Sequence, residues 1–304
     1  MRILVTGAGG FLGRALAVDL AQRGFEVLAA YRTTVPPPFR GTPAPKLVAL
    51  DLAALDFAGL SALPGAVDAV VHAAATSAWA GVSAQAMARD NVEATRRLID
   101  AAGAGGATKF IFCSSMSAFG DIKAGTVDET TPVANPDVYG MTKLIGEALL
   151  REAAPGLAGL ALRLPAVIGP GAKRNFLAVA AGRLKAGEPV SIFNPDAPFN
   201  NAVHSADLGA FIAGLLEKGW RGYDMLVLGA AGQLTISGAV QRLGARLGPA
   251  VPIEVRTAGK RASPPDSRRA MEAYGYRPME IGRMLDRYAA EVAAGAPEAE
   301  SGGN

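Results

Sequence analysis

The stretch "LVTGAGGFLGRAL" (4–16) places three glycines, Gly7, Gly10 and Gly13, at three-residue spacing between an apolar run and an amphipathic segment. In a turn from a β-strand into an α-helix each glycine has a use: a tight turn, room for a pyrophosphate to reach backbone N–H groups, and close packing of helix on strand. The N-terminus of that helix, at Phe11 and Leu12, adds partial positive charge beside the phosphates. The stretch therefore predicts a dinucleotide site at the first strand-to-helix turn.

Apolar runs and helical patterns alternate through the first half of the chain. The runs lack period-two alternation, which is typical of parallel strands buried on both faces. Strands are predicted at 2–6, 26–31, 46–50, 68–73, 109–114 and 159–164. Helices are predicted between them at 11–23, 82–102 and 136–154. The repeated β-α-β order predicts an α/β fold with a doubly wound parallel sheet.

The second half has a weaker pattern, which we interpret as a smaller substrate-side lobe. Helices are predicted at about 174–186, 205–218, 235–247 and 280–293, and short strands near 190–193, 224–228 and 252–256. We assign residues 1–165 and about 200–230 to a dinucleotide-binding domain, and about 166–199 and 231–293 to a substrate-binding lobe. The polar, Gly-rich residues 294–304 are predicted to be a disordered tail.

The composition of the 304 residues excludes several kinds of partner. The net charge of +3 comes without a Lys/Arg-rich block, so we expect no nucleic-acid partner. One Cys excludes an internal disulfide, and one Cys with two His cannot form a standard zinc site, so no metal is expected. We find no signal-type leader and no apolar run approaching the roughly eighteen residues of a membrane span. We expect a cytoplasmic protein with a small-molecule substrate.

The segment "YGMTK" places Tyr139 and Lys143 four residues apart, on one face of the helix predicted at 136–154. An ammonium beside a phenol stabilises the tyrosinate and lowers the tyrosine pKa from its usual value of about 10. A phenol tuned in this way can take or give the proton of a C–OH/C=O pair while hydride moves to or from a nicotinamide. The pair therefore predicts acid–base catalysis of a redox step.

Together these motifs resemble the extended short-chain dehydrogenase/reductase family, also called the NAD-dependent epimerase/dehydratase family. The resemblance rests first on "TGAGGFLG", with its G-x-x-G-x-x-G spacing, and it implies a Rossmann-type fold. The segment "FIFCSSMSAFG" resembles the family pattern S-[ST]-x-x-x-[YF]-G, which aligns Ser115 with the catalytic hydroxyl. Ser114 is the alternative, one residue away. The catalytic residues that the resemblance implies are therefore Ser115, Tyr139 and Lys143.

The resemblance also implies further residues near the cofactor. Asp51, followed by Leu52, matches the residue that contacts the adenine, and Asn91 in "DNVEAT" matches a helix Asn that supports the active-site backbone. Small residues of "HAAA" (72–75) would lie against the cofactor, and "LRLPAVIGPG" (162–171) would pass the nicotinamide. The residues so implied are Asp51, Leu52, Ala73, Ala74, Ala75, Asn91, Tyr139, Lys143, Pro165 and Val167. The family's habit of forming a homodimer through two long core helices is an expectation here.

The stretch "AAYRTT" (29–34) follows the second predicted strand, where an acidic residue usually holds the ribose hydroxyls of NAD. Here Arg32 stands one place beyond that position, and a guanidinium binds the extra phosphate of NADP bidentately. Arg14, just after the last loop glycine, would approach the same phosphate from the helix. We therefore predict NADP(H) in preference to NAD(H). The alternative is a surface Arg32 that stacks on adenine, which either cofactor permits.

Other residues have structural roles as their first interpretation. Cys113 is predicted to be a buried small hydrophobe, and His72 and His204 to pack or hydrogen-bond. Arg268 and Arg269 could reach a substrate phosphate, but a solvated helix face is the interpretation we favour.

Departures from the family pattern narrow the reaction. Dehydratases follow the catalytic hydroxyl residue with an acidic pair, whereas Met116 and Ser117 stand here, so dehydration is disfavoured. UDP-sugar 4-epimerases often carry an Asn just after the Arg of the sixth strand, where this chain has Ala166. They also carry an Arg ahead of their V-H-x-x-D stretch, where this chain has Asn200 and Asn201. These losses weaken, without excluding, a nucleotide-sugar substrate.

Simple hydride transfer on a carbonyl or hydroxyl of a small molecule, a sugar nucleotide among the candidates, is therefore the leading hypothesis. The alternatives are a nucleotide-sugar epimerase with tightly bound NAD(P) and a non-enzymatic dinucleotide sensor.

Overall fold

A seven-stranded parallel sheet forms the centre of the computed structural model, in the order β11-β6-β5-β4-β1-β2-β3. The structure describes residues 1–55, 63, 65–77, 81–122, 125–153, 156–248, 251–256 and 263–295. The strands are β1 Arg2–Thr6, β2 Glu26–Tyr31, β3 Lys46–Ala49, β4 Ala69–His72, β5 Lys109–Ser115, β6 Ala158–Leu164, β7 Ala166–Ile168, β8 Val190–Phe193, β9 Pro198–Phe199, β10 Ala202–His204, β11 Tyr223–Val227, β12 Leu234–Thr235 and β13 Ile253–Arg256. The helices are α1 Phe11–Gln22, α2 Ala84–Met87, α3 Ala94–Ala104, α4 Val138–Ala153, α5 Phe176–Lys185, α6 Ser205–Lys218, α7 Ile236–Leu247, α8 Arg268–Tyr274 and α9 Ile281–Ala293.

Successive side chains of the central strands enter cores on opposite faces of the sheet, as the pleat requires. Ile3 and Val5 pack under α1 and α6, whereas Leu4 packs on the other side with residues of α3 and α4. Both faces are apolar, which is why the strands have no period-two pattern. The predicted doubly wound parallel sheet is confirmed.

The helix predicted at 82–102 is interrupted. Ser83 caps α2 by accepting a hydrogen bond from the Ala86 N–H (3.1 Å), and Ala88–Glu93 then form a π-helical turn before α3 begins. Such wide turns occur often at functional sites. This one carries Asp90 and Asn91, and both side chains point back toward the loop after β4.

The C-terminal lobe has its own apolar core, built mainly from α5, α7 and α9. Three two-stranded sheets accompany it: parallel β7 with β10, antiparallel β9 with β12, and parallel β8 with β13. The periodicity did not predict the two-residue strands β9 and β12, because two residues hold only one period of a strand pattern. The predicted tail falls outside the described residues from 296 onward. Within the described ranges, no helix has both the length and the apolar character to cross a membrane.

Candidate active site

Two glycines of the first loop are fixed by close backbone approach. Gly7 has φ +78°, and a Cβ there would lie 2.9 Å from the Cα of Ala74. A Cβ on Gly13 would lie 2.6 Å from the carbonyl oxygen of Thr6. A side chain at either position would push β1 away from the loop after β4 or from α1, so only glycine fits.

The other two glycines of the loop leave an open backbone surface. A Cβ on Gly9 would meet nothing within 4 Å, and one on Gly10 only the Gly7 carbonyl oxygen at 3.5 Å. Gly10 begins α1 without a side chain that caps it, so the N–H groups of the first helical turn remain available to an anion. This uncapped helix start beside a side-chain-free surface fits the pyrophosphate of a dinucleotide.

A cavity of about 300 Å³ opens beside these glycines, at the carboxyl ends of β1, β2, β3 and β4. It brings together eight of the predicted cofactor residues: Gly7, Gly10, Arg32, Asp51, Leu52, Ala73, Ala74 and Ala75. The remaining predicted cofactor residues lie outside its lining: Phe11, Leu12, Gly13, Arg14, Asn91, Tyr139, Lys143, Pro165 and Val167. Asp51 keeps its place at the rim by accepting a hydrogen bond from the Ala53 N–H (3.1 Å).

Buried Asn91 acts on the backbone next to the cavity rather than in it. Its Oδ1 accepts from the Thr76 N–H (2.7 Å), and its Nδ2 donates to the Thr76 carbonyl (2.8 Å) and to Thr142 Oγ1 (3.1 Å). The side chain therefore fastens the alanine loop after β4 to α4. This is the backbone support that the sequence predicted, whereas direct cofactor contact by Asn91 is not indicated.

His72 forms a second buried link, between β4 and its neighbours. Its ring nitrogens bond Thr6 Oγ1 (2.7 Å) and Thr95 Oγ1 (2.9 Å), and Thr6 Oγ1 also accepts from the Ala74 N–H (3.1 Å). Burial, with a smaller contribution from the charge of Lys143, lowers the pKa of His72 to about 3. The ring is therefore neutral and structural, in agreement with its sequence interpretation.

The three predicted catalytic residues lie on two neighbouring elements at the same edge of the sheet. Ser115 ends β5, and its Oγ accepts a hydrogen bond from the Ser117 N–H (3.1 Å). Tyr139 and Lys143 lie one turn apart in α4, which packs on β5. Lys143 Nζ donates to the carbonyl of Cys113 (2.8 Å) and lies 5.6 Å from the centre of the Tyr139 ring.

Local sequence explains how α4 comes this close. Asp137 Oδ1 accepts from the Gly140 N–H (2.8 Å) and so caps the start of the helix. Gly140 and Gly146 then face β5 and the turn after it, where a Cβ would clash with the Ser117 carbonyl or lie 2.7 Å from the Phe112 ring. The two glycines allow α4 to lie directly against the strand that carries the serine.

The electrostatics of Tyr139 differ from the sequence prediction. Burial raises its pKa to about 12, and the nearby Cys113 and Asp137 add to that direction. Burial also lowers the pKa of Lys143 to about 8, against the smaller opposing effects of Cys113 and Glu147. The prediction of a lowered Tyr139 pKa was therefore wrong, because desolvation of the phenol outweighs any lowering by the Lys143 ammonium, which donates to the Cys113 carbonyl.

A buried hydrogen-bond network distinguishes Ser114 from Ser115 as the candidate catalytic serine. Ser114 Oγ donates to Glu147 Oε1 (2.5 Å), and Glu147 accepts two bonds from Arg163 (2.9 and 2.7 Å). All three side chains are almost fully buried. Ser114 is thus committed to the interior, and Ser115 is the serine that faces away from it. Sequence reasoning missed this network, although Glu147 stands four residues after Lys143 on the same helix face.

Cys113 lies in the same strand and is buried. Burial raises the pKa of its thiol to about 12, so it is protonated at neutral pH and not a nucleophile. Its predicted role as a small buried hydrophobe is confirmed.

The two predicted phosphate-binding arginines do not share a site. Arg32 lines the dinucleotide cavity and pairs there with Asp90 (3.1 Å). Arg14 instead donates to the carbonyls of Pro37 (2.7 Å) and Pro38 (3.1 Å) and lies over the Phe39 ring. The Pro-rich loop between β2 and β3 (residues 34–45) therefore holds Arg14 in a separate cavity of about 470 Å³, which Phe11 also lines. The prediction that both arginines face one phosphate was wrong.

Segments beyond β6 occupy the rim between the sheet and the C-terminal lobe. Pro165 joins β6 to β7, and the Val167 carbonyl accepts a bond from Asn175 (2.9 Å). Asn200 and Asn201 donate to backbone carbonyls of the lobe. His204 bonds Glu291 of α9 (2.9 Å), which is a structural link.

The arginines at the start of α8 are already paired. Arg268 binds Asp266 (2.7 Å), and Arg269 binds Asp224 (2.8 Å), which also accepts from the Tyr274 hydroxyl (2.7 Å). These contacts favour the solvated-face interpretation over a phosphate site.

Comparison with known proteins gives matches over most of the chain. The family model described as the NAD dependent epimerase/dehydratase family matches residues 3–234. The dTDP-6-deoxy-L-talose 4-dehydrogenase (NAD(P)(+)) of Kitasatospora kifunensis is 35% identical over 192 residues, which are 61% of this chain and 58% of that protein. The 3-beta-hydroxysteroid dehydrogenase of Mycolicibacterium neoaurum is 27% identical over 70% of this chain and 60% of its own length. The chain thus spans less than two thirds of these curated relatives.

Solved structures match the whole described architecture. MoeE5 in complex with UDP-glucose and NAD superposes with a TM-score of 0.82 at 26% identity, covering 97% of this chain and 99% of the other. A UDP-galactose 4-epimerase superposes with a TM-score of 0.80 at 23% identity and the same coverage, and this second likeness concerns the fold.

Proposed function

The chain belongs to the NAD-dependent epimerase/dehydratase family, and from that premise we propose an NAD(P)(H)-dependent oxidoreductase that acts on a carbonyl/hydroxyl pair of a small molecule. The observation that carries the proposal is the meeting of two features at one edge of the sheet. One is the glycine-lined cavity after β1, and the other is the cluster of Ser115, Tyr139 and Lys143 on β5 and α4.

Each of the three side chains has a chemical role in the proposal. Tyr139 gives its phenolic proton to the reacting oxygen during reduction, or takes a proton from it during oxidation. The Ser115 hydroxyl accepts one hydrogen bond from the Ser117 N–H, and in the proposal it donates its own proton to the reacting oxygen. A nicotinamide dinucleotide held by the glycine loop would supply the hydride acceptor or donor.

Lys143 has two functions in the proposal. Its ammonium, 5.6 Å from the Tyr139 ring centre, stabilises the negative charge that develops when the phenol loses its proton. Its bond to the Cys113 carbonyl keeps it beside β5. A pKa of about 8 leaves Lys143 mostly charged at neutral pH. The raised pKa of Tyr139 means that the phenol enters a reduction protonated, as a general acid must.

A sugar nucleotide is the substrate class that we propose, because the relatives include a dTDP-sugar dehydrogenase and solved proteins holding UDP-sugars. Dehydration is not part of the proposal, since Met116 and Ser117 follow Ser115 and neither is an acid or a base near neutral pH. Epimerisation through a transient ketone is the second candidate. The likeness to UDP-sugar 4-epimerase folds favours it, and it would use the same side chains with the cofactor retained.

NADP(H) is the preferred cofactor in this proposal, and the preference now rests on Arg32 alone because Arg14 is held elsewhere. We expect NADP⁺ to bind more tightly than NAD⁺ in a titration, and Arg32→Asp to remove the difference. Tighter binding of NAD⁺, or an unchanged preference in Arg32→Asp, contradicts it.

The assembly and location of the protein stay predictions. A homodimer through α3 and α4 is supported by Met141 and Ile145, two apolar side chains that are 44% and 45% exposed on α4. Light scattering in solution would measure its mass. Cytoplasmic localisation stays an expectation.

The experiment that tests the proposed function is a screen of nucleotide sugars and other ketones with NADPH and NADH. A loss of nicotinamide absorbance that depends on the protein supports the oxidoreductase. Purified protein that carries tightly bound NAD(P) and interconverts sugar epimers, with no net change in absorbance, favours the epimerase. Dinucleotide binding without either reaction favours the non-enzymatic sensor.

A further inference from the structure

We propose that Asp90 sets the cofactor preference by holding Arg32, so that the 2′-phosphate of NADP must compete with this carboxylate for the guanidinium. The inference rests on the proposed function, because it concerns the same cavity. It adds a residue from a different part of the chain, the π-helical turn that precedes α3.

The Asp90 carboxylate is fixed by three donors. Arg32 Nη1 lies 3.1 Å from Oδ2, Thr76 Oγ1 donates to the same oxygen (3.0 Å), and Arg89 Nε donates to Oδ1 (2.8 Å). The side chain of Asp90 is 7% exposed, whereas that of Arg32 is 50% exposed. The carboxylate is therefore the anchored partner, and the guanidinium is the partner that can move toward a ligand.

The Asp90 side chain is an ionised carboxylate at neutral pH. Burial acts to raise its pKa, but the bonds from Arg89, Arg32 and Thr76 outweigh burial and hold the pKa below its usual value. Among the residues that the structure describes, Arg32 is the one arginine in the lining of the cavity, and Asp90 places a fixed negative charge next to it. Asp90 lies 58 positions after Arg32 in the sequence, yet it places a carboxylate near the position where an acidic residue usually follows the second strand.

Two consequences follow for a dinucleotide in this cavity. A phosphate that approaches Arg32 meets repulsion from Asp90 and must share or break the ion pair. Ribose hydroxyls can instead donate to the carboxylate, as they do to an acid after the second strand of other dinucleotide folds. The Arg32–Asp90 pair therefore reduces the difference in affinity between NADP and NAD that Arg32 alone would produce. It also leaves a carboxylate to which the ribose hydroxyls of NAD can donate.

Asp90→Asn tests this because it removes the charge while keeping the size of the side chain and an oxygen for Thr76. NAD⁺ and NADP⁺ are titrated separately into the wild-type protein, Asp90→Asn, Arg32→Gln and the double variant. We expect Asp90→Asn to shift the affinity ratio toward NADP⁺ by roughly tenfold. In the Arg32→Gln background the same change should produce a clearly smaller shift, because only the direct effects of the Asp90 charge are lost and no guanidinium is freed.

Asp100→Asn is the matched control, since Asp100 also pairs with an arginine, Arg96, but on the exposed face of α3. It should leave the ratio unchanged. Asp90→Ser removes the same charge with a smaller side chain, and it serves as the second variant if Asp90→Asn folds poorly.

The outcomes separate the two claims. If both dinucleotides bind but Asp90→Asn and Asp90→Ser alter the ratio by less than about twofold, Asp90 does not set the preference and the proposed function stands. A shift of undiminished size in the Arg32→Gln background likewise overturns the mechanism, because the release of Arg32 would then play no part. If the wild-type protein binds neither dinucleotide, the proposed function and this inference both fail.

Discussion

The most informative single perturbation is Lys143→Met, because Lys143 is an ionisable group buried beside the proposed acid. Its side chain is 3% exposed, donates to the Cys113 carbonyl (2.8 Å) and lies over the rings of Phe112 and Tyr139. Burial lowers its pKa from 10.5 to about 8. Protonation of the native state is therefore costlier than protonation of the unfolded chain.

The sign and size of the effect on stability follow from linkage. Below about pH 8 both states bind the proton, and the full cost of burying the ammonium is present. Between about pH 8 and 10.5 only the unfolded state keeps the proton on Lys143, so the free energy of unfolding rises with pH. At about 1.4 kcal/mol per unit of pKa the total is on the order of 3 kcal/mol, of which roughly 2 falls between about pH 7.5 and 9.5.

The assay is urea denaturation followed at several pH values across that range. Between the ends of that range the stability of the wild-type protein should rise relative to that of Lys143→Met by roughly 2 kcal/mol, since the opposing titration of the buried Cys113 thiol is common to both proteins. Lys46→Gln, a change at an exposed lysine on β3, should keep the wild-type slope. Parallel slopes for wild type and Lys143→Met would refute the buried, destabilised ammonium on which the proposed role of Lys143 depends.

Three further predictions concern stability and protonation. Gly13→Ala should cost about 1–3 kcal/mol in urea denaturation because its Cβ meets backbone, whereas Gly9→Ala, with open space, should cost less than about 0.5. Glu147→Leu should lower the free energy of unfolding by about 3–5 kcal/mol, because it leaves Arg163 buried and unpaired. The double variant Glu147→Leu/Arg163→Met should lose much less stability, and additive losses from the two single changes would contradict this. NMR titration should find His72 neutral down to about pH 4; a midpoint near its usual pKa would show that the ring is solvated.

Local motifs in the sequence were sufficient for the fold and for much of the candidate site. The glycine spacing of the first loop and the four-residue step from Tyr139 to Lys143 both lie within one element or one turn. Their geometry follows from strand, turn and helix periodicity alone. The observed sheet and the placement of both motifs at its carboxyl edge agree with that expectation.

Side-chain partners from distant parts of the chain could not be predicted in this way. Arg14 is held by carbonyls of the Pro-rich loop, and Arg32 by Asp90 in a π-helical turn that periodicity had assigned to a regular helix. The pKa of Tyr139 likewise depends on how deeply the phenol is buried, which spacing does not reveal. Charge types were visible in the sequence, but their pairing required the fold.

In the proposed function Tyr139 is the acid–base group of a dinucleotide-dependent reaction, and the sharpest test of this role is Tyr139→Phe. Dinucleotide affinity is first measured for both proteins, and turnover is then followed through nicotinamide absorbance with an active carbonyl substrate. We predict equal cofactor binding and a rate at least about 100-fold lower in Tyr139→Phe. Turnover by Tyr139→Phe at the wild-type rate would show that Tyr139 is not the acid–base group.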